Sequence, residues 1–156
     1  MIQLNLFEPT TVDEVSLVYK TKTPPDKRYQ IKGSSDAHDA LLSSWDFQTI
    51  ELHEEFKVLL LNRSNRVLGV IQISKGGISG TVVDIRQIFQ AALKANASSI
   101  IACHNHPSGN MNPSEADQRI TQKISAAGKV MDIQLLDHLI LVPGDSYFSF
   151  SDEGLI

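Results

Sequence analysis

Apolar positions along the chain change their spacing several times, and each spacing predicts an element. Residues 1–33 hold no sustained pattern. Val15–Tyr19 and Tyr29–Lys32 fit short strands. Lys20–Arg28 between them is polar, carries Pro24 and Pro25, and is expected to be extended and mobile. From Ser34 the pattern strengthens. Ala37, Ala40, Leu41 and Trp45 share a helical stripe that Ser35 can cap. Phe56–Asn62 is an apolar run suited to a buried strand, Arg63–Arg66 a turn, and Val67–Ser74 the returning strand. Gly76–Gly80 reads as a flexible loop. Asp84 can cap a helix carrying Ile85, Ile88, Phe89, Ala92 and Leu93, with Asn96 at its end.

Ser98–Cys103 is a short buried strand that runs directly into His104. Pro107–Pro113 forms a loop. Ser114 then opens a helix with Ile120, Ile124 and Ala127, stopped by Gly128. Ile133–Leu136 and His138–Val142 read as two strands, Pro143–Asp145 as a turn, and Tyr147–Phe150 as a last strand. Helices and strands alternate irregularly, with hairpins at both ends. The expected class is α/β, a mixed central sheet flanked by helices, spanning residues 34–156 behind an N-terminal arm of residues 1–33. No internal repeat is visible, and the arm has too few apolar residues for a second core.

Bulk properties narrow the classes. A chain of 156 residues, 42% apolar and 21% charged, suits one soluble domain. It contains no run of 18 apolar residues and no visible secretory signal, so neither a membrane nor secretion is expected. Cys103 is the only cysteine, which excludes an internal disulfide and fits a cytoplasmic location. The net charge of −4 gives no general attraction to nucleic acid. Arg63, Arg66 and Lys75 are the candidates for a local basic patch, with a solvated face as the plainer reading.

The candidate chemistry lies at His104 and His106. Side chains at i and i+2 of an extended segment point to one side, so both imidazoles can reach one ion. Asp117 follows after ten intervening residues, in the first turn of the next helix. Two imidazoles and a carboxylate are ordinary zinc ligands, with a fourth position left for water. Zinc lowers the pKa of that water to roughly 7. Ser114 and Asp117 also have the spacing of a helix cap, and the two roles are compatible.

His104-x-His106-x10-Asp117, with Pro107 and Ser114, resembles the JAMM motif of the JAB/MPN metallopeptidases. The run HNHPSGNMNPSEAD, together with GTVVD (80–84), ALKANA (92–97) and LLDHLIL (135–141), resembles the RadC-like branch. The resemblance covers roughly residues 34–156. It implies a fold similar to the cytidine deaminases, a bound Zn2+ and water-driven cleavage of a peptide or isopeptide bond. It also implies a glutamate upstream of the histidines as general base. The RadC-like pattern selects Glu54, with Glu55 as the fallback. Ser114 matches the position that stabilises the oxyanion. The implied partner is a peptide or protein substrate. DNA is a weaker expectation, through an accessory role in repair, because no helix-hairpin-helix pattern precedes the domain. The insertions that hold ubiquitin chains in some relatives have no counterpart here. The oligomeric state is left open.

Other residues have plainer readings. Cys103 is expected to pack in the core rather than pair with His104, since neighbours on a strand face opposite ways. Asp137-His138 either supports the ligands or is a structural pair, and the structural role is favoured. His38 and His53 lack partners at ligand spacing and are expected at the surface. The string His-Asn-His matches the HNH nucleases in letters only. A deaminase is disfavoured by the missing Cys-x-x-Cys.

Overall fold

The structure, a computed structural model, describes residues 16, 18–77 and 80–156. Its centre is β1 (Glu55–Leu61), buried along its whole length. Alternation divides β1 between two layers: Phe56, Val58 and Leu60 enter one core cluster, and Leu59 and Leu61 the other. A turn follows in which Asn62 Oδ1 accepts the backbone N–H of Ser64 and of Arg66 and Asn65 takes φ 55°. The chain returns as β2 (Val67–Lys75), antiparallel to β1. The sheet is completed by β3 (Ser99–Asn105), β4 (Gln134–Leu141) and β5 (Tyr147–Ser149), in the order β2-β1-β3-β4-β5.

Among the described residues, only β3 and β4 pair in parallel. A parallel pair needs a long crossover, here built around a helix, whereas the antiparallel pairs at the ends are joined by short connections. The helix is α3 (Glu115–Val130), which packs with α2 (Ile85–Lys94) on the face bearing Phe56 and Ala102. The other face, with Leu59, Ile101 and Leu139, is covered by α1 (Ser34–Leu42), Trp45 and Ile50, and Ile31 is buried in the same layer. The expected mixed α/β sandwich is therefore present. Among the described residues, no helix is long and apolar enough to cross a membrane.

Several local expectations change. Gly33, not Ser35, occupies the N-cap of α1, and no side chain caps that helix. Asp36 reaches back to accept the Lys32 N–H instead. Trp45 lies beyond the end of α1 and is buried on the same layer. Gly128 does not stop α3, which continues to Val130. It lies where a Cβ would stand 2.3 Å from the Ile133 carbonyl oxygen, so its role is close approach. The two strands expected over 133–142 are one strand. A register shift against β3 pairs Ile100 with Leu135 and Ile101 with Asp137, leaving Leu136 unpartnered.

In the arm, Tyr29–Lys32 forms only an isolated bridge, Gln30 to Arg66, and Pro25–Lys27 makes one 3-10 turn. The expected strand Val15–Tyr19 falls partly outside the described residues, and residues 16 and 18–20 carry none. Arg63 and Arg66 flank the β1–β2 turn, while Lys75 ends β2, about 25–30 Å away at 3.3 Å per residue. Lys75 pairs with Glu55, and Arg66 donates to the Arg28 carbonyl. These three cations do not form one patch.

Candidate metal centre

At the C-terminal end of β3 the backbone presents His104 and His106 to the α2–α3 face. The start of α3 presents Asp117 from above. Ligand-type atoms of the three residues all lie within 4.8 Å of one another. His104 Nε2 stands 2.9 Å from His106 Nε2 and 3.2 Å from Asp117 Oδ1, and His106 Nε2 stands 3.5 Å from Asp117 Oδ2. Tetrahedral zinc with bonds of 2.0–2.1 Å separates its ligands by about 3.3 Å. The three spacings, 2.9–3.5 Å, lie around that value.

The hydrogen bonds behind the rings set which nitrogen is free. His106 Nδ1 faces the Asn110 carbonyl at 2.6 Å. A carbonyl only accepts, so Nδ1 carries the hydrogen and neutral His106 offers the Nε2 lone pair. For His104 the chain of bonds is longer. Thr121 Oγ1 donates to the Asp117 carbonyl at 2.6 Å and so spends its one hydrogen. It must then accept from His138 Nδ1, also at 2.6 Å. His138 is fully buried, and burial holds its pKa well below the ordinary value, so the ring is neutral with a single N–H. Its Nε2 accepts from His104 Nδ1 at 2.8 Å, which frees His104 Nε2. Two imidazole nitrogens and a carboxylate thus converge, a donor set that can hold a cation.

Asp117 divides its work between its two oxygens. Oδ2 accepts from the Ser114 backbone N–H and hydroxyl, each at 2.7 Å, while Ser114 Oγ accepts the Asp117 N–H, completing a capping box. Oδ1 is left facing His104. Burial opposes the charge, but hydrogen bonding with His104, His106 and Ser114 holds the carboxyl far below the usual carboxylate range. The hydrogen bond to Asp117 raises the His106 pKa against the opposing effect of burial.

Glu54 and Glu55 separate cleanly. Glu54 lines the same cavity, about 310 Å3, as His104, His106, Ser114 and Asp117, and burial pushes its pKa up against the pull of the two histidines. The cavity is also lined by Phe56, Gly80, Thr81, Val83, Ala116 and Ile120. Gly76 must be glycine there, since a Cβ would meet the Gly80 oxygen at 2.3 Å. The Gly76–Gly80 loop includes residues 78 and 79, which lie outside the described residues. Glu55 points to the opposite face, where Lys57, Lys75 and His53 lie at 3.2–3.3 Å. Burial works against its charge, but hydrogen bonds from the two lysines lower its pKa. Strand alternation is the physical reason: residues 54 and 56 share a face with His104, and residue 55 cannot.

Cys103 is fully buried on the α1 face, and burial pushes its thiol pKa well up. Asp137 and His138 part company across the sheet. His138 backs His104. Asp137 accepts from Ser149 and the Ser151 N–H, tying the C-terminal turn to the sheet. The register shift at Leu136 is what brings His138 round to the ligand face. The expectation of surface histidines fails. His38 is buried on the inner side of α1, stacked on Tyr147 at 4.5 Å, and His53 is half-buried against Glu55.

A mixed α/β sandwich with a His-His-Asp cluster at the end of a central strand is the class that fold and site define. Within that class, the chain belongs to the RadC-like JAB domain family, whose sequence model matches residues 31–155. It is similar to a UPF0758 protein of Flavobacterium johnsoniae, 54% identical over 103 residues, or 66% of this chain and 44% of that protein. A UPF0758 protein of Porphyromonas gingivalis is 38% identical over 135 residues, 86% of this chain and 60% of that one. One from Clostridium beijerinckii is 44% identical over 107 residues, 68% and 46% respectively. The chain thus matches about half the length of these relatives, and the designation UPF0758 carries no activity.

Proposed function

We propose that this domain is a zinc-dependent hydrolase that cleaves a peptide or isopeptide bond. The observation that carries the reading is the convergence of His104 Nε2, His106 Nε2 and the Asp117 carboxylate at spacings of 2.9–3.5 Å, on a cavity lined by Glu54. Zinc held by these three residues would supply the Lewis acidity that makes water a nucleophile near neutral pH.

The chain's own residues have distinct tasks. Glu54, with its pKa raised by burial, is poised both to take a proton from the attacking water and to return it to the leaving amine. As water adds to the carbonyl carbon and the C–N bond breaks, one proton passes to nitrogen and the new carboxyl keeps the oxygen. Ser114 Oγ–H, at the cavity wall, is the donor available to the oxyanion, by turning from Asp117. Phe56, Val83 and Ile120 give the cavity its apolar wall.

The purified chain should take up one zinc per molecule, read by elemental analysis. Glu54→Gln should retain that zinc and lose at least about a hundredfold in turnover on an isopeptide- and peptide-bond library. Failure to take up zinc at micromolar concentrations, or equal turnover by the variant, would overturn the proposal.

A further inference from the structure

Between the two histidines lies Asn105, whose side chain points away from the cavity and is fully buried. A buried primary amide is costly unless its donors and acceptor are satisfied. Asn105 meets that demand in one place. Its Oδ1 accepts the Glu55 N–H at 2.7 Å, and its Nδ2 donates to the His53 carbonyl at 3.0 Å and the Ile50 carbonyl at 2.8 Å. The partners fix the orientation of the amide, because an N–H can face only the oxygen and carbonyls only the nitrogen. The two residues bracketing Glu54 are therefore both bonded to one side chain of the ligand strand.

The backbone ladder explains why a side chain is needed. The pairing of β1 with β3 ends at Phe56 opposite His104. One residue further on, the Asn105 amide takes the place of the next backbone partner. The chain is then free to turn away at His53 while Glu54 stays in line with Phe56. On its other side Glu54 is held by two backbone bonds, Glu54 N–H to the Gly77 carbonyl at 3.2 Å and Gly76 N–H to the Glu54 carbonyl at 2.8 Å.

We propose that Asn105 is a positioning residue: it clamps the Glu54 segment to the strand that carries His104 and His106, fixing the carboxylate relative to the metal centre. The assignment rests on the hydrolase reading for its meaning, and on the three hydrogen bonds for its geometry.

The probe is Co2+, bound in place of zinc and followed by its visible spectrum in four proteins: unmodified, Glu54→Gln, Asn105→Ala and the double variant. Asn105→Ala should keep Co2+ affinity within about fivefold, since all three ligands remain. It should reproduce the spectral change of Glu54→Gln, and the double variant should show no further change. Amide exchange at residues 51–55 should quicken by about tenfold or more, while residues 99–103 stay protected. A spectrum that Glu54→Gln alters and Asn105→Ala does not, or additive changes in the double variant, would overturn the clamp.

Two further readouts cover other failures. In the unmodified protein the Asn105 side-chain amide protons should exchange about a hundredfold more slowly than those of exposed Asn112. Equal rates would overturn the clamp even if Asn105→Ala does not fold. Absence of Co2+ uptake by the unmodified chain would instead overturn the metal-centre reading, and the exchange rates would still decide the clamp.

Discussion

Thr121 shows how far a single hydroxyl reaches in this molecule. Its one hydrogen goes to the Asp117 carbonyl, so the ring of His138 is forced to donate from Nδ1 and accept at Nε2. That in turn fixes His104 with a free Nε2. Groups behind a ligand commonly change metal affinity by about 10–100-fold. Thr121→Val should therefore weaken zinc binding by about tenfold, and Thr121→Ser should restore it, both measured by competition with a chromophoric chelator. An affinity unchanged in the valine variant would mean that the relay does not set the ring. The same residue-scale logic separates Glu54 from Glu55. The two share a type and a neighbourhood in the sequence, yet one faces histidines and the other lysines.

At the scale of elements, α3 does two jobs from its ends. Its first turn carries the capping box that holds Asp117 Oδ2 and leaves Oδ1 to the site. Its last turn must come close to the chain entering β4, and Gly128 allows it. A Cβ there would stand 2.3 Å from backbone oxygen of Ile133 and 3.6 Å from the Phe89 ring. Backbone cannot swing aside as a flexible side chain does. Gly128→Ala should lower stability by about 1–3 kcal/mol despite alanine's better helix propensity. Chemical denaturation would measure it, and a stabilised variant would refute the packing argument. β4 carries the other element-scale feature, the register shift at Leu136 that turns His138 toward His104 and Asp137 toward Ser149.

For the whole molecule, the His-His-Asp cluster couples stability to pH in a direction that its charges fix. In the metal-free protein His106 has a raised pKa, so its contribution is complete below the unfolded value near 6.5 and is lost as pH rises through the folded value. Asp117 has a depressed pKa, so its contribution persists above about 3.9 and is lost only as pH falls through its folded value. Zinc needs neutral imidazoles and competes with the proton. The rise in melting temperature on adding zinc should be small near pH 5.5 and grow between about pH 6.5 and 8. Thermal melts with and without zinc across that range would test it, and a shift that shrinks with rising pH would contradict the assignment.

Local physics made much of this protein legible from its sequence. The largely apolar runs of β1 and β3 read as buried strands because such segments are stabilised by removal from water. Asp84 and Ser114 read as helix starts because their side chains serve backbone N–H groups two and three residues on. The clustering of His104, His106 and Asp117 was legible because their spacing places them on chain segments that can converge. What the sequence alone left undecided were relations between segments. The opposite faces of Glu54 and Glu55, the turn of His138 toward His104, and the burial of His38 all depend on strand register and layer packing. Asn105 belongs there too, since nothing in its own neighbourhood reveals the His53–Glu55 backbone that it meets. Local hydrogen bonding and hydrophobic periodicity act over a few residues, and only tertiary structure brings together groups that lie some 50 residues apart.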